Sequence, residues 1–363
     1  MTLKIHHYKI SFCVVAMNRL HHLKKTFIKN IHDNANYTNL EFVLLNYNSK
    51  DSMDEWVQEN LKPYIKSGLV RYYKTNSAAS WSPSHSKNIA FKLASGDIVC
   101  NIWADYFTGA NFANYVNKSF NNNPNIVLTP IDFFKTKNNY SPPGDVLGKV
   151  CVRKNDFLKI GGFDERINKH GFEDYDFVNR LEMIGVIRVL IEEPQFLRFV
   201  SHEDSERFTL PEKELEAIYV SHLDPNSSII LIMLKNQTFY MATVIDNTTL
   251  DSHDSQYAYK KRNYLFDFRL YENDWDRGKW KKDDASLFLS SKKTGESELR
   301  IKNAKEIQSH NSKAIFLLLT DKEQITSVLN FRHFHDTRKI MESNLNNRIS
   351  IVNQGRFGKA TLF

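Results

Sequence analysis

The stretch Lys9-Ile10-Ser11-Phe12-Cys13-Val14-Val15-Ala16-Met17, closed by Asn18-Arg19, decides how the first half of the chain is read. A short run rich in Val, Ile and Phe reads as a strand, and similar runs return at Glu41–Asn46, Val70–Lys74 and Asp97–Trp103. Helical patterns fill the gaps at Leu20–Asn30, Met53–Lys66 and Ser84–Leu93. Strand–helix alternation at this spacing predicts a parallel sheet with right-handed crossovers. Such sheets bind ligands beyond the carboxyl ends of their strands. Those ends are polar here: Asn18-Arg19, then Asn46-Tyr47-Asn48-Ser49-Lys50-Asp51, then Ala104-Asp105-Tyr106.

Further along, a helix is expected near Ala110–Phe120, strands at Ile126–Phe134 and Gly148–Arg153, and one or two strands within Val186–Val200. The character changes near residue 212. From Ser227 onward β-like runs dominate, at Ile229–Leu234, Thr238–Ile245, Tyr264–Tyr271, Ser286–Ser290, Glu298–Ile301 and Ala314–Leu319. A long helix then starts at the cap Thr320-Asp321 and ends near Asn344. The expected division is therefore residues 1–226 as an α/β domain and residues 227–363 as a β-rich module with a long helix.

Composition narrows the function classes. The hydrophobic content of 41% supports a packed core, and no apolar run approaches the roughly 20 residues of a membrane span. Met1–Lys9 lacks the apolar core of a signal peptide. Cys13, Cys100 and Cys151 lie in strand-like runs without paired spacing, which predicts buried thiols in a reducing cytoplasm. The net charge of +7 is spread along the chain, which suits anionic small molecules or peripheral contact with an anionic membrane. No nucleic-acid motif accompanies it, so nucleic acid is not an expected partner.

Two runs concentrate chemistry. Gly161-Gly162-Phe163-Asp164-Glu165 is followed by Glu173-Asp174-Tyr175-Asp176, which opens a helical pattern. On a helix, Glu173 and Asp176 share a face while Asp174 points elsewhere. Acids are stable at a helix N-terminus, so an acidic first turn needs no chemistry to explain it. A carboxylate held there beside a Gly turn is also well placed to take a proton from a hydroxyl.

In family order, Ile10–Val15 with Asn18-Arg19, Leu44–Ser49 with Asp51, and Ser84-His85-Ser86-Lys87-Asn88 come first. Ala94-Ser95-Gly96-Asp97, Asn101-Ile102-Trp103-Ala104-Asp105, the Gly161 run, Gly171-Phe172-Glu173-Asp174 and His202 with Arg207 follow. Through these pieces residues 8–208 resemble a nucleotide-sugar glycosyltransferase of the GT-A fold. The resemblance is to the broad family 2 class, with a galactosyltransferase-like second half. It implies an inverting transferase that moves a sugar from a nucleotide-sugar donor to a glycan or lipid-linked glycan during surface-polysaccharide synthesis. By the resemblance Asp174 is the base and Glu173 its neighbouring acceptor-orienting carboxylate. Asn18, Arg19, Asn46, Asp51, Lys87, Trp103 and Arg207 would meet the donor, with Lys87 and Arg207 at its phosphates. Asp164 and Gly162 would meet the acceptor. Asp105 and His202 would hold Mn²⁺ or Mg²⁺, hard cations suited to oxygen ligands. A cytoplasmic, membrane-associated location and a homo-oligomer are compatible with this reading.

Two departures stand out: relatives commonly carry Asp at position 46, and Asp-x-Asp where this chain has Trp103-Ala104-Asp105. An indole at 103 would either stack on the donor or fill its space. The alternative is thus a catalytically inactive relative, binding glycan or nucleotide or serving as a structural subunit. Bland readings also stand for single residues. His202 could be an ordinary surface or core histidine, Gly161-Gly162 an ordinary turn, and Asp51 the cap of the helix containing Trp56. Trp275 and Trp280 read as packing residues before sugar-stacking ones.

Overall fold

The computed structural model describes residues 5–131, 146–201, 214–224, 227–245, 250–253, 256–259, 269–270, 274–310 and 314–363. The chain forms two compact units, Met1–Asp204 with Asp336–Phe363, and Ser205–His335. The first unit alternates as the sequence predicts: β1 Ile10–Ala16, α1 Leu20–Asp33, β2 Leu40–Tyr47, α2 Met53–Asn60, α3 Lys62–Lys66, β3 Val70–Thr75, α4 Pro83–Leu93 and β4 Ile98–Asn101. It continues with α5 Phe112–Asn122, β5 Ile126–Thr129, β6 Cys151–Arg153, α6 Lys154–Lys159, α7 Glu173–Met183 and β7 Ile187–Leu190. The single helix expected over Met53–Lys66 is two, because Pro63 has no N–H to donate and crowds the preceding turn.

The seven strands lie in the order β3-β2-β1-β4-β6-β5-β7. All neighbours are parallel except β6, which runs against β4 and β5. This is the mixed, mainly parallel sheet that the resemblance implied. Every residue of β1 and β2 is buried, since helices cover both faces. One face carries Phe12, Val14, Phe42 and Leu44, the other Cys13, Val15, Val43 and Leu45. The three cysteines are free and buried, as predicted.

The sequence reading kept residues 227–363 together, whereas residues 336–363 group with the sheet unit. The reason is local. Val352 N–H bonds Ile160 O at 3.1 Å, Phe357 packs in the core beneath α4, and Phe363 exchanges two backbone bonds with Lys74 of the edge strand β3. Gly161 and Gly162, at φ of +76° and +72°, permit this approach, because a Cβ on Gly162 would collide with Asn88 and Phe357.

The second unit holds β8 Leu215–Asp224, β9 Ser227–Leu234, β10 Thr238–Ile245, β11 Leu250–His253, β12 Gln256–Tyr259 and β13 Arg269–Leu270. It continues with β14 Asp276–Lys282, β15 Ser286–Ser291, β16 Gly295–Asn303, β17 Glu306–Ser309 and β18 Ile315–Leu318, and then α8 Lys322–Asn346 begins. Antiparallel neighbours run β10-β14-β15-β16-β17-β18-β8-β9, and β9 pairs back with β10, so this sheet closes on itself. Closure removes the exposed edges that an open sheet would present. Leu231, Met233, Phe239, Leu287, Leu289, Leu299, Ile307 and Phe316 form one apolar cluster. Ile230, Ile232 and Val244, on the opposite side of the same strands, pack with Trp275 and with Val328, Leu329 and Phe331 of α8. Of the expected strand Tyr264–Tyr271, only Arg269–Leu270 lies within the described residues. No helix of the described residues is long and apolar enough to cross a membrane.

Candidate active site

The α7 N-terminus is made by a turn in which Gly171 and Phe172 both have positive φ. Gly171 N–H donates to Glu173 Oε2 at 2.9 Å. Helical spacing put Glu173 on one face with Asp176 and set Asp174 apart, while the resemblance paired Asp174 with Glu173. The structure instead gives Glu173 and Asp174 one shared partner, the Lys87 ammonium, 3.1 Å from Glu173 Oε1 and 2.5 Å from Asp174 Oδ1. Asp176 turns to Arg180 at 2.7 Å and to Asn344 at 2.7 Å. A long flexible amine reaching over from α4 can meet two adjacent residues of a helix's first turn, which helical spacing alone does not reveal.

Lys87 is fully buried, its ammonium 4.7 Å from the Trp103 ring centroid and 4.6 Å from that of Phe163. Read from sequence as a phosphate contact, Lys87 is committed here to the carboxylates. One cation faces two buried acids, so their proton affinities separate. Burial, aided by the Glu173 charge and opposed by Lys87, pushes Asp174 up to about 7. Burial acts on Glu173 too, but Lys87, His170 and a backbone hydrogen bond outweigh it and hold that carboxyl below its usual range. Glu173 has both oxygens engaged, whereas Asp174 gives only Oδ1 to Lys87.

Gly148 is a site residue that sequence reading missed. A Cβ there would overlap the Trp103 indole nitrogen and come within 2.9 Å of Asp174 Oδ2. No motif marks this glycine, since its requirement arises from two side chains distant in sequence. Trp103 is half-buried, and its ring lies 5.5 Å from that of Trp81.

At the ends of β1 and β2, Asn18 takes a positive φ of 58° and accepts Lys50 N–H at 2.7 Å, while its own N–H bonds Ser49 Oγ at 3.0 Å. Asp51 Oδ2 accepts Leu20 N–H at 2.9 Å, so Asp51 caps α1, which Arg19 precedes, and not the helix containing Trp56. Its Oδ1 is sealed from solvent without a partner among the described residues. Asn46 is buried and donates to Asp54 at 2.8 Å and Tyr72 at 3.0 Å, while accepting Ser49 N–H at 2.8 Å. Asp54 also bonds Tyr72 and Lys74. Although burial raises it, these bonds hold the Asp54 carboxyl below its usual range. An acid eight residues away thus stands beside Asn46, a second feature that sequence reading missed.

Asp105 is half-buried, and its carbonyl accepts Val200 N–H at 2.8 Å. The adjoining turn is fixed by Lys149, whose buried amine donates to Phe107 O at 2.8 Å and to Phe196 O. Burial brings the Lys149 amine down to about 7. His202 and Arg207 lie outside the described residues. Among the described residues no three His, Cys, Asp or Glu side chains stand close enough to hold a metal. With Trp103 in place of the first acid, the described residues do not by themselves fit a metal site.

Asp164, expected to meet the acceptor, is buried in another network. Arg166 bonds both its oxygens, and Asn344 donates to it at 2.9 Å and to Asp176 at 2.7 Å. Arg180 closes this network on Gly162 O at 2.7 Å. Asp164, Gly162 and Asp176 therefore join α7 to the end of α8 and are not brought to the Lys87 cluster.

The family model described as Glycosyltransferase like family 2 matches residues 142–205. The segment bearing the Gly161 turn and Glu173-Asp174 is thus glycosyltransferase family 2-like. Solved structures similar to the chain include mannosyltransferase PcManGT from Pyrobaculum calidifontis in complex with GDP-Man and Mn²⁺. It is 17% identical over 52% of this chain and 56% of that one, with a TM-score of 0.43. S. aureus TarS 1-349 in complex with UDP is 14% identical over 51% and 58%, with a TM-score of 0.42. GalNAc-T7 with UDP, GalNAc and Mn²⁺ is 11% identical over 88% and 80%, with a TM-score of 0.44. The chain spans little more than half of the first two structures. No curated protein matches it.

Proposed function

We propose that this chain is an inverting glycosyltransferase that moves a sugar from a nucleotide-sugar donor to a hydroxyl of a glycan or lipid-linked glycan acceptor, in surface-polysaccharide synthesis. The observation that carries this reading is the Lys87–Glu173–Asp174 cluster, whose two carboxylates lie inside the family-matching segment 142–205. It contains one carboxyl poised near neutrality with an oxygen to spare. A base titrating near the working pH is the effective one. In the reaction the acceptor O–H bond breaks and its proton passes to Asp174 Oδ2. The oxygen lone pair forms the new bond to the anomeric carbon. The bond from that carbon to the diphosphate breaks, and its electrons leave with the diphosphate. Attack from the face opposite the leaving group inverts the configuration in a single displacement.

Glu173 stays ionised and keeps the ammonium of Lys87 in place. The donor would sit over the ends of β1 and β2, at Asn18, Arg19, Asn46 and Asp51, with Trp103 and Arg207 beside it. Asp105 and His202 remain the proposed ligands of a divalent ion, and no step above depends on one. The sheet unit is the proposed catalytic domain, and the closed sheet of the second unit would serve acceptor placement or subunit contact. One observation favours the inactive reading: Asn46 spends its amide on Asp54 and Tyr72.

One experiment separates the two. The full chain is incubated with UDP- and GDP-sugars and a panel of methyl glycosides, with and without Mn²⁺. Nucleoside diphosphate release is measured, together with the anomeric configuration of the product. Activity with inversion is expected, falling by about 10²–10⁴ in Asp174→Asn with donor affinity preserved. A product of retained configuration, or full activity in that variant, would overturn the assignment.

A further inference from the structure

Two polar atoms beside the carboxylate cluster have no protein partner among the described residues: the Trp103 indole nitrogen and Asp174 Oδ2. Neither belongs to the sealed, unpartnered atoms of the described residues, and the Asp174 side chain keeps 12% of its surface exposed. Both lie against Gly148, where an added Cβ would come within 2.2 Å of the indole nitrogen and 2.9 Å of the carboxylate oxygen. One is a hydrogen-bond donor only and the other, when ionised, an acceptor only.

The surroundings fix this arrangement. The Gly148 carbonyl accepts Asn101 Nδ2 at 2.7 Å, and the next residue, Lys149, is tied to two carbonyls by its buried amine. The Trp103 ring packs against both the Lys87 ammonium and the Trp81 ring. Asp174 is held through Oδ1 by the same ammonium. Lys87 therefore orients both partners at once.

We propose that Trp103 is a catalytic residue whose indole N–H donates to the oxygen of the acceptor hydroxyl while Asp174 Oδ2 takes that hydroxyl's proton. The inference rests on the glycosyltransferase reading. A hydroxyl is the group that satisfies both atoms, accepting one hydrogen bond and donating another at about 2.8 Å each. The indole N–H takes one lone pair of the oxygen and Asp174 takes the proton, which leaves the other lone pair oriented for attack, so the two groups together position the hydroxyl. The indole keeps its own proton throughout. An acceptor amine, protonated at neutral pH, has no lone pair for the indole N–H, so this pair selects hydroxyl acceptors. The residue standing in place of the usual first acid thus faces the acceptor side of the reaction.

The test has two arms. With ¹⁵N-labelled tryptophan in the full chain, the five indole N–H signals are resolved, and that of Trp103 is assigned by its loss in Trp103→Phe. Between pH 5 and pH 9 this signal should shift with a midpoint near 7, following Asp174, and the shift should vanish in Asp174→Asn. A Trp103 signal unmoved across that range would overturn the convergence, whether or not the protein is an enzyme. In the second arm, transfer from the best UDP- or GDP-sugar to methyl glycosides is compared between wild type and variants. Trp103→Phe should lose about 10- to 100-fold in turnover at saturating donor, with partial recovery in Trp103→His, which retains a ring N–H. Full activity in Trp103→Phe overturns the proposal while leaving the enzyme reading intact. A wild type that neither binds nor turns over any donor overturns the enzyme reading and the proposal with it, although the pH arm still reports the geometry.

Discussion

Replacing Asp174 with Asn should make the protein more stable above neutral pH while disabling it. Burial pushes the Asp174 carboxyl up to about 7 in the folded chain, from an ordinary 3.8. Its folded value is raised, so the folded state binds the extra proton more tightly than the unfolded one. The stability this proton contributes is fully present below pH about 4 and is lost as pH climbs through 7. A gap of about three units, at 1.36 kcal/mol each, puts the loss at about 4 kcal/mol by pH 8. An Asn side chain has nearly the same shape and never ionises, so it escapes that loss. It leaves Lys87 paired with Glu173 alone, one charge against one. The variant should therefore match wild type near pH 4 and exceed it by up to about 4 kcal/mol at pH 8. Urea denaturation followed by tryptophan fluorescence at pH 4, 6 and 8 measures this difference. If the variant is no more stable than wild type at pH 8, or if the difference does not grow with pH, Asp174 carries no buried-charge penalty and the argument for a poised base fails.

Two further outcomes follow from the same cluster. Lys87→Met leaves Glu173 and Asp174 buried with no ammonium, which should destabilise the fold by about 3–5 kcal/mol at pH 8. The cost should shrink towards pH 4, as protonation neutralises the acids, and denaturation curves at the two pH values check it. Gly148→Ala should lower stability by about 1–3 kcal/mol through overpacking against Trp103, and should cut sugar transfer at least about tenfold. Thermal unfolding and nucleoside diphosphate release report the two effects separately.

The sequence alone determined what short-range pattern can encode. Runs of Val, Ile and Phe broken by helical periods at residues 10–101 gave the strand–helix alternation and its parallel pairing, because side-chain period is a property of near neighbours. The acidic opening of α7 was legible for the same reason. Only the tertiary structure decided which groups meet. Lys87 reaches its two carboxylates across 86 and 87 positions of chain, and Asn344 reaches Asp164 across 180. The need for glycine at 148 exists only once Trp103 and Asp174 have been packed beside it. The closing pair of β9 with β10 and the return of residues 336–363 to the first unit are likewise matters of packing. Sequence period fixes which face of an element is apolar, but the partner that covers that face is chosen by burial of the whole chain. A buried charge takes its proton affinity from those chosen neighbours, so the division of roles between Glu173 and Asp174 could be read only after folding was known.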